Sequence, residues 1–209
     1  MLADDHPFIV FGLREMLGKR LGFNVVAEAT GPRLLLEKLA RIECDVLITD
    51  FSMPCADAPD GLALLHCIRT RFPNVRIVVL TMLDNPGLLG CIRKAGALAL
   101  LNKRDGLQEL SNAVIAAFQG REHLSASVRQ ALARLGAGNP EAVASSRLSP
   151  REIEVLRLYV GGMTTSDIAR YLNRSINTVS TQKHSAMRKI GVKNDAELYD
   201  YAIEHGLKA

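Results

Sequence analysis

Residues 46–54 read Val46-Leu-Ile-Thr-Asp-Phe-Ser-Met-Pro54: four residues suited to a buried strand, an aspartate, then a loop. An apolar run ending in turn chemistry is the pattern of an inner strand of a parallel sheet, which places Asp50 at the strand's carboxyl end. Ligand sites of open α/β sheets lie along that edge. Read singly, such an aspartate is as consistent with a turn or helix cap as with metal ligation or acceptance of a phosphoryl group. The flanking sequence has to separate these.

On the amino-terminal side, Met1–Ala3 supplies only the end of a strand before Asp4-Asp5-His6-Pro7. An inner strand ordinarily runs about five residues, so the start reads as trimmed. Ile9, Val10, Leu13, Met16 and Leu17 recur at helical spacing after Pro7, with Gly22 as the stop. Residues 24–29 read as a second strand and 32–42 as a helix. On the carboxyl side come a helix over 61–71, a strand over 77–80 ending at Thr81, a helix over 86–95, a strand over 98–101 before Asn102-Lys103, and a fifth helix carrying Leu107, Leu110, Val114 and Phe118. Five strands alternating with five helices predict a five-stranded parallel sheet of flavodoxin-like α/β form with right-handed crossovers.

That topology brings Asp4, Asp5, Asp50, Thr81 and Lys103 to one edge of the sheet. Each alone has a bland reading as a cap, a strand end or a solvated charge. Three carboxylates, a hydroxyl and an ammonium at corresponding positions of successive βα units suit aspartyl phosphoryl transfer. Oxygen-only ligation favours Mg2+, and Lys103 and Thr81 are placed to stabilise phosphoryl oxygens.

The chain of 209 residues is 48% hydrophobic, enough for two small domains or one large one. No basic-then-apolar leader and no run of about eighteen apolar residues is present, so the expected address is the cytoplasm and no membrane partner is expected. Cys44, Cys55, Cys67 and Cys91 lack metal-ligand spacing and read as reduced thiols. The net charge is +4, but residues 1–120 hold 13 basic and 13 acidic side chains, so the excess lies entirely after residue 120. Between Asp167 and Asp195 there are six basic residues and no acid. A solvated helix face would explain that interval, and so would a polyanionic partner.

Residues 121–147 read as a linker containing a possible helix over 125–135. The stretch 136–146, rich in small and turn residues, is expected to be mobile. Ser149, Pro150 and Glu152 form a capping box that opens a second, all-α domain over 148–209. Helices over 165–172 and 177–190, joined by Asn173-Arg174-Ser175, describe a helix-turn-helix, and a last helix covers 194–205.

Together A-D-D-H-P, L-I-T-D-F-S-M-P, V-V-L-T-M and L-N-K, followed by L-S-P-R-E-I-E-V-L, I-A-R-Y-L-N-R-S-I-N-T-V and H-S-A-M-R-K-I-G-V, resemble the NarL/FixJ-type bacterial response regulators over nearly the whole chain. These join a phosphorylatable receiver to a LuxR-type DNA-binding domain. The loop 55–60 and V-S-T-Q-K-H-S-A-M resemble the capsule-regulating, phosphorelay-fed branch. The resemblance implies Asp50 as phosphoacceptor from a histidine kinase or histidine phosphotransfer protein. It implies Mg2+ held by Asp5 directly, Asp4 through water, Asp50, and the Ser52 backbone carbonyl, with Thr81 and Lys103 contacting the phosphoryl group. Leu100 stands where many receivers place a switching aromatic.

In the second domain the resemblance gives Ser180, Thr181 and His184 as candidates for base contact in the major groove of promoter DNA, and Arg174, Thr178, Lys183 and Arg188 for phosphate. The expected function is a non-enzymatic transcription regulator that phosphorylation releases to homodimerise, or to pair with another regulator, on DNA. Two alternatives remain at this point. One is a phosphorylation-independent DNA binder whose receiver is a docking module. The other is a phosphoaspartyl hydrolase, which leaves the basic helix without a role.

Overall fold

The computed structural model describes residues 1–20, 22–55, 57–136 and 148–207. Six strands form one parallel sheet in the order β2-β1-β3-β4-β5-β6. They are β1 (Leu2–Ala3), β2 (Glu28–Ala29), β3 (Val46–Asp50), β4 (Arg76–Thr81), β5 (Ala97–Asn102) and β6 (His123–Leu124). The helices of this half are α1 (Pro7–Gly18), α2 (Pro32–Leu39), α3 (Gly61–Arg71), α4 (Pro86–Lys94) and α5 (Leu110–Phe118). The doubly wound fold is the expected one. The sixth strand lies in the stretch read as linker: β6 adds to β5 in parallel, opposite Ala99 and Leu100. Two residues carry no period of their own, so only the exposed edge of β5 defines that strand.

The inner strands are apolar on both faces because helices cover both. Ile48, Val78, Leu80, Ala99 and Leu101 pack with Val10, Leu13, Leu110 and Ala117 in one buried cluster. Truncating any large member to alanine is worth about 2–5 kcal/mol. The second strand is shorter than its sequence pattern. Residues 24–26 lie outside the ladder because β1 pairs only through Leu2↔Glu28 and Ala3↔Ala29, with the Leu2 N–H donating to the Ala27 carbonyl. Two helical apolar positions also emerge at the surface: Met16 is 40% and Phe118 54% exposed, and the Phe118 ring stacks under the Arg76 guanidinium.

After β6 come α6 (Ala126–Gly136), α7 (Pro150–Val160), α8 (Thr165–Tyr171), α9 (Ile176–Ile190) and α10 (Asp195–Glu204). The helix expected over 125–135 is therefore present, while the mobility expected over 136–146 falls, beyond Gly136, outside the described residues. The Ser149 box forms: its hydroxyl accepts from the Glu152 N–H and Glu152 accepts from the Ser149 N–H. A second box, Thr164 with Asp167, opens α8. Val155, Leu158, Ile168, Ala169 and Val179 form the core that holds α7, α8 and α9 together. Asn173 takes a positive φ of 51° in the turn between α8 and α9, where its short polar side chain tolerates the left-handed region. Gly191, at φ 80°, ends α9.

By proximity the chain divides into two compact units, Met1–Thr81 with Ile92–Ser125, and Met82–Cys91 with Ala126–Ala209. Among the described residues no helix is long and apolar enough to cross a membrane.

Candidate phosphoacceptor site and DNA-facing helix

Register carries the site residues to one edge. Asp50 ends β3 opposite Leu80, Thr81 ends β4 opposite Asn102, and Lys103 follows β5 directly. Asp4 follows β1 and is fully buried, its N–H donating to the Ala29 carbonyl at 3.1 Å. The Lys103 ammonium sits 2.7 Å from Asp4 Oδ2 and 3.1 Å from Asp50 Oδ1. The Phe51 N–H also donates to Asp50 Oδ1, at 2.9 Å. Both contacts use one oxygen, so Oδ2 is the oxygen whose lone pairs these bonds leave for chemistry.

Burial pushes the Asp50 carboxyl up to about 6; Lys103 pulls against that shift and Asp4 adds to it. For Lys103, burial opposes the charge, yet Asp50 and Asp4 outweigh it and hold the ammonium above its ordinary range. Above about pH 6 the site therefore contains a charged aspartate beside a fixed ammonium.

Asp4, Asp5 and His6 offer donor atoms within 4.8 Å of one another. Asp5 Oδ1 is buried and accepts no hydrogen bond among the described residues, although His6 Nδ1 lies 2.9 Å from it. A buried carboxylate oxygen in that condition, beside the Asp4 and Asp50 carboxylates, suits a hard cation with oxygen ligands.

Two positioning residues escaped the sequence reading. Asp60 is fully buried and accepts from the Met53 N–H at 2.8 Å, pinning the loop that follows Asp50. Ser125 is 2% exposed, and its Oγ accepts from the Asn102 N–H at 3.1 Å, directly before Lys103. Asp60 stood in a Pro- and Ala-rich loop and Ser125 in a linker, with no local signal for either contact.

In the helical half, Ser175 caps α9, its hydroxyl accepting from the Thr178 N–H at 3.1 Å and lying 2.8 Å from the Thr178 hydroxyl. Arg174, Thr181, His184 and Arg188 are exposed, and Thr178 and Ser180 are half-buried. His184 Nδ1 lies 2.8 Å from the Ser180 carbonyl. A carbonyl only accepts, so Nδ1 carries a proton and Nε2 is the outward nitrogen.

Lys183 differs from its neighbours. It is 7% exposed, its ammonium lies 2.5 Å from Asp195 Oδ1 and 3.6 Å from the Tyr159 ring centre, and the Tyr159 hydroxyl donates to Asp195 Oδ2 at 2.7 Å. Its charge is spent inside the domain, binding α9 to α7 and α10. Burial opposes that charge, but Asp195 and Tyr159 hold the Lys183 pKa above its ordinary range.

A second interior hub centres on Glu152, 5% exposed, which accepts from the Ser149 backbone and hydroxyl, the Ser185 hydroxyl at 2.8 Å and the Lys189 ammonium at 2.7 Å. Burial works against its charge, yet these donors hold its pKa at about 2. Glu152 was legible as a cap; its hold on α9 was not, because Ser185 and Lys189 lie more than thirty residues away.

Residues 1–115 match the response regulator receiver domain family, and residues 146–202 the luxR family of bacterial regulatory proteins. The chain is 39% identical over 201 residues to the transcriptional regulatory protein RcsB of Escherichia coli, covering 96% of this chain and 92% of that one. It is 31% identical to the oxygen regulatory protein NreC of Staphylococcus epidermidis, covering 99% and 97%. Among solved structures it is similar to RcsB of Salmonella enterica serovar Typhimurium bound to promoter rprA in the presence of the phosphomimetic BeF3−, at 40% identity and TM-score 0.84, over 96% and 95% of the two chains. A receiver at one end, a luxR-type helix-turn-helix at the other and an RcsB-like sequence over nearly all of its length mean that the chain belongs to the NarL/FixJ-type two-component response regulators.

Proposed function

We propose that this protein is a transcription regulator switched by phosphorylation of Asp50. Residues 1–125 form the receiver, since β6 and Ser125 belong to its sheet edge, 126–147 the link, and 148–209 the DNA-binding domain. The observation that carries the reading is the Lys103 ammonium held between Asp4 and Asp50, one residue beyond a strand whose last residue stands opposite Thr81.

Asp50 Oδ2 attacks the phosphorus of a phosphohistidine on a kinase or phosphotransfer protein. The new O–P bond forms as the N–P bond breaks, and the imidazole nitrogen keeps the electron pair. Asp4, Asp5, Asp50 and the Ser52 backbone carbonyl would hold Mg2+, which would supply positive charge to neutralise the phosphoryl oxygens. Lys103 shifts from carboxylate to phosphoryl oxygen, and the Thr81 hydroxyl donates to a second oxygen. Roughly two added negative charges then reorder the loops after Asp50, Thr81 and Lys103.

The output is pairing of two chains on promoter DNA, with α9 in the major groove of each half-site. Ser180, Thr181 and His184 meet base edges. Arg174, Thr178 and Arg188 meet phosphates. Lys183 serves by setting the angle of α9 from within the domain.

A second reading is favoured by Leu100, 1% exposed in β5. With no aromatic there to swing, the receiver pairs with a partner regulator without phosphorylation. Binding to promoter DNA at fixed salt separates the two readings. A small phosphoryl donor with Mg2+ is expected to tighten binding of the wild type and leave Asp50→Ala unchanged. Equal binding by both proteins, with or without donor, would refute the switch and favour the docking module.

A further inference from the structure

The first turn of α9 turns two unlike side chains to the surface. Ile176 is 52% exposed, and the neighbouring Asn177 is exposed with no hydrogen bond to its amide among the described residues. Capping does not account for the asparagine. That work is done by Ser175, whose hydroxyl accepts from the Thr178 N–H at 3.1 Å. Helix propensity does not account for it either, since asparagine ranks among the weaker helix formers.

At about 100° of rotation per residue, Asn177 falls about 20° from His184, about 20° from Arg188 and about 40° from Thr181. It stands in the middle of the arc that these residues form with Ser180. Gln182, the other amide of α9, lies about 140° round the helix from Asn177 and is half-buried. Ile176 flanks the same arc about 40° from Ser180. Ser180 and His184 are partly turned on each other, the hydroxyl lying 3.5 Å from Nδ1. Asn177 carries no such commitment, and the N-terminal residues of a recognition helix are the ones that reach base edges.

We propose that Asn177 and Ile176 set the sequence preference at the start of α9 by reading A·T pairs, an inference that rests on the DNA-binding role of this helix. An amide presents a donor and an acceptor side by side, so Asn177 Oδ1 accepts from the adenine N6 amino group while Nδ2 donates to N7. Guanine offers two acceptors at those places and would leave Oδ1 facing one of them. Ile176 has only apolar groups to offer, and the apolar feature of the major groove is the C5-methyl of thymine. Contact there also removes an apolar side chain from water.

The duplex for the test is the one that the full chain enriches from a random-sequence pool in the presence of a phosphoryl donor and Mg2+. Each half-site is expected to contain an A·T pair whose exchange for G·C weakens the wild type roughly 5- to 150-fold. Asn177→Ala should bind both duplexes about equally, and Asn177→Lys should reverse the preference, because lysine pairs with guanine O6 and N7. Deazaadenine lacking the N7 acceptor is expected to weaken the wild type and leave Asn177→Ala unaffected. Uracil in place of thymine removes only the methyl group, and should weaken the wild type but not Ile176→Ala. Both positions lie at the surface, so each variant should keep the wild-type Tm and the wild-type affinity for random duplex. An A·T preference that survives in Asn177→Ala overturns the role of Asn177, and uracil sensitivity that survives in Ile176→Ala overturns that of Ile176. Enrichment of no sequence at all would instead overturn the DNA-binding role on which both rest.

Discussion

His184 and Arg188 share one exposed side of α9, and their chemistry assigns them different work. The outward Nε2 of His184 can read a base edge, whereas the Arg188 guanidinium meets the uniform phosphate backbone. His184→Ala is therefore expected to lose about 1–3 kcal/mol on a specific site and little on random DNA. Arg188→Ala should weaken both about equally and reduce the slope of log K against log salt by about 1. Parallel titrations of promoter and random duplexes at several salt concentrations test the pair. A His184→Ala loss equal on both duplexes would remove it from base recognition. The same scale shows how far sequence reading reached. Asp4, Asp50 and Lys103 were legible because each follows an apolar strand. Lys183 was read among the phosphate contacts; helical spacing gives its angle on α9 but not Asp195 and Tyr159, which cover that angle.

Between elements, caps and charges decide how α9 is held. Ser149→Ala removes the hydroxyl half of a capping box and is expected to cost about 1 kcal/mol in urea unfolding. Glu152 has a further dependence on pH. Its folded pKa of about 2 lies below the ordinary 4.5, so the carboxylate's stabilisation is fully present above about pH 4.5 and is lost as pH falls toward 2. Asp195, held low by Lys183 and Tyr159, acts in the same direction. Glu152→Gln should cost about 2–3 kcal/mol at pH 6 and progressively less between pH 4.5 and 2. Unfolding of both proteins across that range measures it, and a constant difference would contradict the hub. The capping box was visible as S-x-x-E spacing, and α7 begins where that spacing puts it. Strand β2 fell short of its pattern for a reason outside its own sequence: only two residues of β1 are available to pair with it.

For the whole molecule, the charge excess after residue 120 accords with a polyanion partner at the helical end, and the acid-free interval 168–194 contains exposed basic side chains and a buried one, Lys183. Arg174 and Arg188 face solvent, while Lys183 and Lys189 are paired with Asp195 and Glu152. A count of basic residues is thus expected to overstate the phosphate contacts. The slope of log affinity against log salt for a dimer should reflect the outward set alone, at about −0.9 for each phosphate neutralised. A slope matching every basic residue of the interval would show that Lys183 and Lys189 leave their carboxylates on DNA. The alternation of five strands and five helices was readable from period and punctuation. The sixth strand was not, since it exists only where β5 offers an edge. The inward turn of Glu152 has a consequence for genetics. A screen that scores lost reporter output would return Glu152 beside His184 and Arg188 as though all three touched the operator. Suppressors would tell them apart: a change in the operator sequence could restore His184 alleles, whereas Glu152 alleles would answer only to second changes inside the same domain.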